Sequence, residues 1–269
     1  MTSILLAIVV LGVLGAVFGA LLAFASKIFH VEVDPKQAAV REVLAGANCG
    51  GCGFPGCDGY AAAVAAGQAP TNKCVAGGAE TAAKVAEIMG VSADAAEKMV
   101  AFVPCSGGEG IAEKRFNYTG PQDCQAAMLF GGKSSKMCTF ACVGLGNCVR
   151  ACQFDAMHLV NGVAQVDRSK CVGCGACVDI CPKSIPKLIP ESQKIMPACS
   201  NKDKGAKVMK MCTVGCIGCM KCQRECPAEA IVVKDNVAVV DPAKCVQCGH
   251  CADICPRHII TWFGEEKAQ

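Results

Sequence analysis

The stretch from Cys216 to Cys255 constrains this chain more than any other part of the sequence. It contains two copies of the spacing C-x2-C-x2-C-x3-C-P, one over Cys216–Cys226 and the other over Cys245–Cys255. This spacing is typical of thiolates that bind [4Fe–4S] clusters, and the fourth cysteine of each copy binds the cluster of the other copy. The sequence therefore predicts two clusters, one bound by Cys216, Cys219, Cys222 and Cys255 and the other by Cys226, Cys245, Cys248 and Cys251.

The use of cysteine along the whole chain favours metal binding over disulfides. Cysteine accounts for 24 of the 269 residues, a density that in secreted proteins usually indicates a disulfide scaffold. Runs of C-x2-C-x2-C favour a shared cluster instead, and cluster thiolates require a reducing compartment. The formal net charge is +3, and no basic patch with interspersed aromatic residues indicates nucleic-acid binding.

The apolar segment Ser3–Ser26 contains no charged residue and predicts a membrane-spanning helix. At about 1.5 Å per residue, such a helix is long enough for a hydrocarbon core of roughly 30 Å. The alternative is a cleaved signal peptide, which Ala23-Phe24-Ala25 would favour, but the segment lacks a positively charged start and its apolar run is too long. We expect a single-pass anchor in the bacterial inner membrane. Because Lys27 and Arg41 follow the segment, the positive-inside rule predicts that the remaining chain lies in the cytoplasm.

A separate cysteine motif follows this anchor. Cys49, Cys52 and Cys57 lie in CGGCGFPGC, and Cys74 comes after GYAAAVAAG, a predicted short helix that can return it to the other three cysteines. The spacing C-x2-C-x4-C-x16-C predicts a third [4Fe–4S] cluster, and zinc, which also binds four thiolates, is the alternative.

An altered copy of the tandem motif occupies Cys138–Cys181. Its second half is intact, whereas its first half, CTFACVGLGNCVRAC, aligns without a gap with CTVGCIGCMKCQREC but has Leu145 in the place of Cys219. Cys138 is the predicted replacement ligand. One cluster would then be bound by Cys138, Cys142, Cys148 and Cys181, and the other by Cys152, Cys171, Cys174 and Cys177.

Five clusters use 20 of the 24 cysteines and leave Cys105, Cys124, Cys199 and Cys212. The sequences around two of these, VPCSGGEG and MPACSNKDKG, resemble each other, which indicates a role common to both copies. Two interpretations stay open: the four thiols bind a sixth cluster, or they are buried structural cysteines that act as small hydrophobes. The intact copy does not need Cys212, so its counterpart Cys138 could also have this second role.

Together these segments predict an α+β chain. We expect a transmembrane anchor over 1–28, a small helical 4Fe–4S domain over 32–92, a linker over 93–136, a first ferredoxin-like two-cluster module over 137–190, a basic linker over 191–211 and a second module over 212–269. Each module should contain a hairpin between short helices. Glu80–Val103 predicts two packed helices, the second capped by Ser92. The seven lysines in Lys183–Lys210 indicate either a solvated loop or a docking surface for an acidic protein.

The sequence contains no Walker A motif, nucleophile elbow, HExxH motif or Ser/His/Asp pattern, so no substrate site of its own is expected. The order of an apolar N-terminal helix, CGGCGFPGC with Cys74, CTFACVGLGNC and intact ferredoxin motifs resembles the B subunit of the Rnf complex over essentially the whole chain. The resemblance implies a subunit of an ion-translocating ferredoxin:NAD+ oxidoreductase that takes electrons from reduced ferredoxin and passes them to other Rnf subunits, which hold the flavin and NAD sites. The alternatives are an iron–sulfur subunit of a hydrogenase or formate-oxidising complex, and an iron–sulfur assembly or storage protein.

Overall fold

The computed structural model describes residues 2–28, 34–92, 97–129 and 134–263 of the chain. These residues form one long N-terminal helix, shorter helices and two-stranded antiparallel sheets. The helices are α1 (Thr2–Ile28), α2 (Pro35–Val43), α3 (Gly56–Ala65), α4 (Gly78–Met89), α5 (Cys124–Leu129), α6 (Asn147–Arg150), α7 (Ala176–Asp179), α8 (Gly205–Met211), α9 (Lys221–Arg224) and α10 (His250–Asp253). The strands are β1 (Met99–Phe102), β2 (Met157–Val160), β3 (Val163–Val166), β4 (Lys187–Pro190), β5 (Ile195–Pro197), β6 (Ile231–Lys234), β7 (Val237–Val240) and β8 (Ile260–Trp262).

Helix α1 contains the apolar segment that the sequence singles out. Val10–Lys27 within it is long and apolar enough to cross a membrane, and none of this stretch is buried against the rest of the chain. Large apolar side chains such as Leu11, Phe18 and Leu22 are exposed along it. The helix is therefore a candidate membrane span by length and composition.

Helices α2, α3 and α4 form a small unit around the buried ring of Tyr60. The Tyr60 hydroxyl donates a hydrogen bond to the Pro70 carbonyl (2.8 Å) and accepts one from the Lys73 N–H (3.1 Å). These two bonds fix the chain immediately before Cys74. Helix α3 confirms the short helix predicted between Cys57 and Cys74.

Two segments of the chain have the same order of elements. The first is α6–β2–β3–α7 and the second is α9–β6–β7–α10. The hairpins turn at Asn161-Gly162 and at Asp235-Asn236, where all four residues have positive φ, as a type I′ turn requires. The predicted hairpin between short helices is therefore present in both segments.

Each segment is closed by a further pair of strands. Strand β1, ahead of the first segment, pairs with β4, which follows it, and β5 pairs with β8 around the second segment in the same way. Phe102 from β1 and Phe263, next to β8, meet edge to face with ring centroids 5.8 Å apart. The two segments therefore share one apolar core.

Strand β1 corrects one prediction, because a helix was expected to continue to Val103. Residues 93–96, near the predicted cap, lie outside the described residues, but Met99–Phe102 is extended and pairs with β4 in the register Val100↔Ile189. Cross-strand pairing and burial override the helical spacing of this alanine-rich sequence. The stretches expected to be linkers also contain regular structure, with β1 and α5 in the first and β5 and α8 in the second.

Candidate metal centres

The intact motifs bring together the cysteines that their spacing predicts. In the second segment, the Cys222 thiol interacts electrostatically with Cys216, Cys219 and Cys255, and these four line one cavity of about 350 Å³. The Cys251 thiol likewise lies among its three predicted partners, Cys226, Cys245 and Cys248. Short helices α9 and α10 each begin inside a motif and carry Cys222 and Cys251 inward, where both are buried.

The intact half of the first segment has the same arrangement. The Cys177 thiol interacts with Cys171, Cys174 and Cys152, and the four line a cavity of about 330 Å³. The Ala101 N–H, on β1, donates a hydrogen bond to Cys171 Sγ at 3.2 Å. The strand that the sequence does not predict therefore supplies part of this site.

The N-terminal motif gathers its thiols against the Tyr60 core. Cys74 is buried there, Cys52 and Cys57 pack against the same residues, and the Cys57 N–H donates to Asn48 Oδ1 at 2.8 Å. Cys49 lies on the side that faces Cys174. A Cβ at Gly51 would come within 2.9 Å of the Cys174 Cα atom, so glycine permits the N-terminal motif to contact the site of Cys174 directly.

The altered half-motif lies beside Cys124, which the sequence assigns either to a sixth cluster or to the buried structural cysteines. Cys124, on α5, lines a cavity of about 390 Å³ together with Cys142, Cys148 and Cys181. The Cys148 thiol interacts electrostatically with all three. Leu145, which stands in the place of Cys219, packs against the small apolar cluster that contains Cys124. The fourth thiol is therefore brought in from a remote helix at the place where the local cysteine is missing.

A hydrogen-bond network fixes Cys124 beside the altered motif. The Cys124 N–H donates to Asn147 Oδ1 at 2.8 Å, and Asn147 Nδ2 donates to Asp123 Oδ2 at 2.8 Å. Asn147 is buried and opens α6, the helix that carries Cys148. The pKa of the Asp123 carboxyl lies below its usual value, because the Ala126 N–H and the Asn147 amide both donate to it.

The structure does not place Cys138 at the altered site, contrary to the sequence prediction. Cys138 instead lines a separate cavity of about 340 Å³, which we call the bridging site, and the other cysteines in its wall are Cys105, Cys199 and Cys212. The sequence groups Cys124 with Cys105, Cys199 and Cys212. In the structure Cys138 lines the cavity with these three, and Cys124 lines the altered site instead. The signal was present in the sequence, because Cys105 and Cys138 each have a counterpart in the second copy, whereas Cys124 has none.

The two segments contribute to the bridging site in matching ways. The Cys142 N–H donates to Cys105 Sγ, and its counterpart, the Cys216 N–H, donates to Cys199 Sγ, both at 3.4 Å. Asn201 adds a further bond from Nδ2 to Cys138 Sγ at 3.3 Å. The chain that leads into each segment therefore supplies two thiols to the bridging site, and a backbone bond connects this site to a site of that segment.

The electrostatics of the thiols fit a cationic metal cluster. Burial is the largest cause of a raised pKa in each of five thiols: it takes the pKa to about 12 in Cys148, Cys177 and Cys251, and to about 11 in Cys199 and Cys222. Buried thiolates are therefore unfavourable without a nearby positive charge, which iron supplies. Backbone N–H groups directed at sulfur are a further feature of iron–sulfur sites.

Two further observations describe the sites. Among the described residues, no group of three or more metal-binding side chains converges on a single ion. Four thiolates on one zinc ion would each lie about 2.3 Å from it, whereas a [4Fe–4S] cluster offers a separate iron to each thiolate.

The cysteines also differ in exposure. Cys219 is the one exposed cysteine among the 24, all of which the structure describes.

Comparisons with known proteins match three of the cysteine-containing regions. Three families match: an Fe-S cluster family (FeS) over residues 44–76, a 4Fe-4S binding domain over residues 164–187 and a 4Fe-4S dicluster domain over residues 215–260. None of the matched ranges includes Cys124 or the four cysteines of the bridging site.

Full-length relatives are more informative than the domain matches. The chain is 46% identical to the B subunit of the Na(+)-translocating ferredoxin:NAD(+) oxidoreductase complex of Acetobacterium woodii, over 97% of this chain and 78% of the relative. It is 41% identical to the B subunit of the ion-translocating oxidoreductase complex of Methanosarcina acetivorans, over 97% and 99% of the two chains. It is 43% identical to the B subunit of the proton-translocating ferredoxin:NAD(+) oxidoreductase complex of Clostridium ljungdahlii, over 97% and 93%. The chain belongs to the family of B subunits of the Rnf, or ion-translocating ferredoxin:NAD+ oxidoreductase, complexes.

Proposed function

We propose that this chain is the electron-relay subunit of a membrane-bound complex that couples electron transfer from reduced ferredoxin to NAD+ with ion translocation. When bound, [4Fe–4S] clusters accept and release one electron at a time. The protein spaces them, shields them from water and sets their surroundings. The observation that carries the proposal is a series of cysteine sites in which thiols of successive sites interact electrostatically or through a backbone hydrogen bond to sulfur.

The series begins at the N-terminal motif, where Cys49 interacts with Cys174. The site of Cys174 adjoins the altered site through the interaction of Cys177 with Cys148. The two backbone bonds to the bridging site, from the Cys142 and Cys216 N–H groups, continue the series into the second segment. The interaction of Cys222 with Cys251 connects the last two sites. One end of the series therefore lies near the apolar helix in sequence, and the other lies in the C-terminal segment.

The proposed function is tested in membranes that contain the whole complex. We expect ferredoxin-dependent NAD+ reduction coupled to ion movement, and its loss when this subunit is deleted. Re-expression of the intact chain serves as the control. Undiminished activity in the deletion strain would show that the chain is not on the electron path.

The proposed number of clusters is six, with Cys105, Cys138, Cys199 and Cys212 as ligands of the sixth. At four irons per cluster, the intact chain should contain about 24 irons. Cys212→Ala and Cys138→Ala should each remove about four irons, because both residues line the same cavity. A content of about 20 irons, unchanged in Cys212→Ala, would instead support buried structural cysteines.

The proposed location is the bacterial inner membrane, with α1 as a single-pass anchor and the remaining chain on the cytoplasmic side. Support comes from the exposed apolar surface of α1 and from Lys27 in its last turn. Removal of residues 1–28 should yield a soluble brown protein that no longer joins the complex. A mature native protein that already lacks this segment would identify it as a signal peptide.

We also propose that the lysines around α8 form a docking surface for acidic ferredoxin. Lys204 and Lys210 are exposed at the two ends of α8, whose first residue, Gly205, lies so close to Ile217 that a Cβ there would meet the Ile217 carbonyl at 2.5 Å. Ile217 lies in the loop that carries the exposed Cys219. Opposite charges steer association, and salt screens them over about 10 Å at 0.1 M.

Lys204→Gln combined with Lys210→Gln should therefore raise the KM for ferredoxin, most strongly at low salt. Lys84→Gln, on α4 and paired there with Glu80, is the matched control for the loss of a surface lysine. Unchanged kinetics at low ionic strength would make the stretch a solvated surface.

A further inference from the structure

A half-buried lysine lies between the bridging site and the altered site. Lys183 follows the Cys181-Pro182 end of the first segment, and its Nζ donates a hydrogen bond to the Ala141 carbonyl at 2.5 Å. Burial lowers the pKa of Lys183, and the thiolates of Cys138, Cys105, Cys142 and Cys181 oppose this effect. Ala141 lies between Cys138, which lines the bridging site, and Cys142, which lines the altered site, so the ammonium group lies beside the loop that joins the two sites.

An arginine occupies the matching position in the second segment. Arg257 follows Cys255-Pro256, and its guanidinium donates to the Gly215 carbonyl (3.3 Å) and to the Cys212 carbonyl (2.8 Å). Gly215 is the counterpart of Ala141 in the alignment of CTVGC with CTFAC. Arg257 also lines the cavity of Cys216 and Cys222. Each segment therefore places a cation on the loop that joins its bridging thiol to its own neighbouring site.

Neither cation has a carboxylate partner among the ion pairs of the described residues. A cation that is withdrawn from water is unfavourable unless an anion or hydrogen-bond acceptors compensate it. For Lys183, the anionic groups at hand are cysteine thiolates. The exposed lysines Lys170 and Lys202, in contrast, pair with aspartates at the surface. The placement of Lys183 and Arg257 is therefore directed towards the cysteine sites.

We propose that Lys183 and Arg257 are a matched pair of positioning residues that raise the midpoint potential of the bridging site and hold the two loops that connect it to its neighbours. A reduced cluster carries one more negative charge than an oxidised one, and a fixed cation nearby stabilises the reduced form more. The pair thereby favours the presence of the electron at the junction between the two segments. This inference rests on the proposed sixth cluster.

The experiment is a redox titration of the full chain, monitored by electron paramagnetic resonance, with iron content measured on the same samples. Lys183→Gln and Arg257→Gln should retain about 24 irons and lower the midpoint potential of one or more signals. We expect a change of at least tenfold in the reduction equilibrium, which is 59 mV for a one-electron couple. Lys183→Arg and Arg257→Lys should stay close to the wild-type potential. Lys187→Gln, an exposed lysine four positions beyond Lys183, should change nothing.

Three results would overturn the proposal. The first is retained iron with unchanged potentials in both glutamine variants. The second is an equal shift in Lys183→Gln and Lys183→Arg, because charge would then not be the cause. The third is loss of iron in both glutamine variants, which would make the residues structural only. Failure of the sixth cluster itself appears separately, as an intact chain with about 20 irons and no effect of Cys212→Ala.

Discussion

The altered site of the first segment and its counterpart in the second segment hold four thiols each, yet they obtain the fourth in different ways. In the second segment Cys219 comes from the motif itself and is exposed, whereas in the first segment Cys124 comes from the remote helix α5 and is buried. In each segment the four cysteines line one cavity. The comparison shows that a cavity can be lined by four thiols even where its own motif supplies only three of them.

The change from cysteine to leucine is accompanied by changes in the next two residues. Gly146, with φ 78°, stands where the second segment has Met220, with φ 59°, and Asn147 stands where it has Lys221. Asn147 binds the backbone of Cys124, whereas Lys221 is exposed. The first segment therefore combines the thiol of Cys124 with the Asn147 amide that binds the Cys124 backbone.

The largest effect is expected when the remote thiol of Cys124 is removed and a local cysteine is restored at Leu145. Cys124→Ala should lose about four irons, because its site keeps three ligands. Adding Leu145→Cys to that variant should restore them, since Leu145 already packs against the apolar cluster of Cys124. Iron analysis of anaerobically purified protein measures both. If Cys124→Ala retains all its iron, Cys124 is not a ligand.

The second prediction concerns the difference in exposure. The site of Cys219 should release iron to a chelator or to dilute peroxide before the site of Cys124 does, because oxidation and exchange follow thiol exposure. The order of loss can be followed by electron paramagnetic resonance after timed exposure. In the double variant Cys124→Ala, Leu145→Cys, the restored site should become more labile than in the wild type. Equal rates at both sites would remove exposure as the cause.

A smaller effect is expected from the anchor of Cys124. Asn147→Ala leaves the buried Cys124 N–H without its acceptor and should lower the free energy of unfolding by about 1–3 kcal/mol. The matched control is Lys221→Ala in the second segment, an exposed substitution with an expected effect within about 0.5 kcal/mol. Anaerobic denaturant titration compares the two. A loss of the same size in both would show that the hydrogen bond to Asn147 is not responsible.

The smallest effect should come from the backbone of Met220. A residue other than glycine in the left-handed region lowers the stability of the fold by about 1–2 kcal/mol. Glycine avoids this cost, but it loses more conformational entropy on folding than other residues do. Met220→Gly should therefore stabilise the second segment by at most about 1 kcal/mol. The reverse change, Gly146→Met, should destabilise the first. Stabilisation by the reverse change would contradict the argument from φ.

Much of the site geometry follows from sequence spacing, because the intact motifs place their ligands within one loop and one helical turn. A hairpin between short helices was expected in each module, and the family followed from the order of motifs. Spacing could not assign Cys124, because its position beside the altered motif depends on hydrogen bonds that involve Asn147 and Asp123. Asn147 is distant from Cys124 in sequence, and Asp123 lies outside any motif. Strand β1 was missed because its pairing with β4 joins residues on either side of the whole first segment.

The matching of Cys105 with Cys199 and of Cys138 with Cys212 has a consequence for assembly. Two like segments that each give the same two ligands to a shared site form the equivalent of an isologous interface, as in a two-fold symmetric dimer. Separate copies of one segment would have to associate to complete such a site, and its occupancy would fall on dilution. Within a single polypeptide the second pair of thiols is supplied at a high effective concentration. The duplication therefore makes the junction independent of protein concentration.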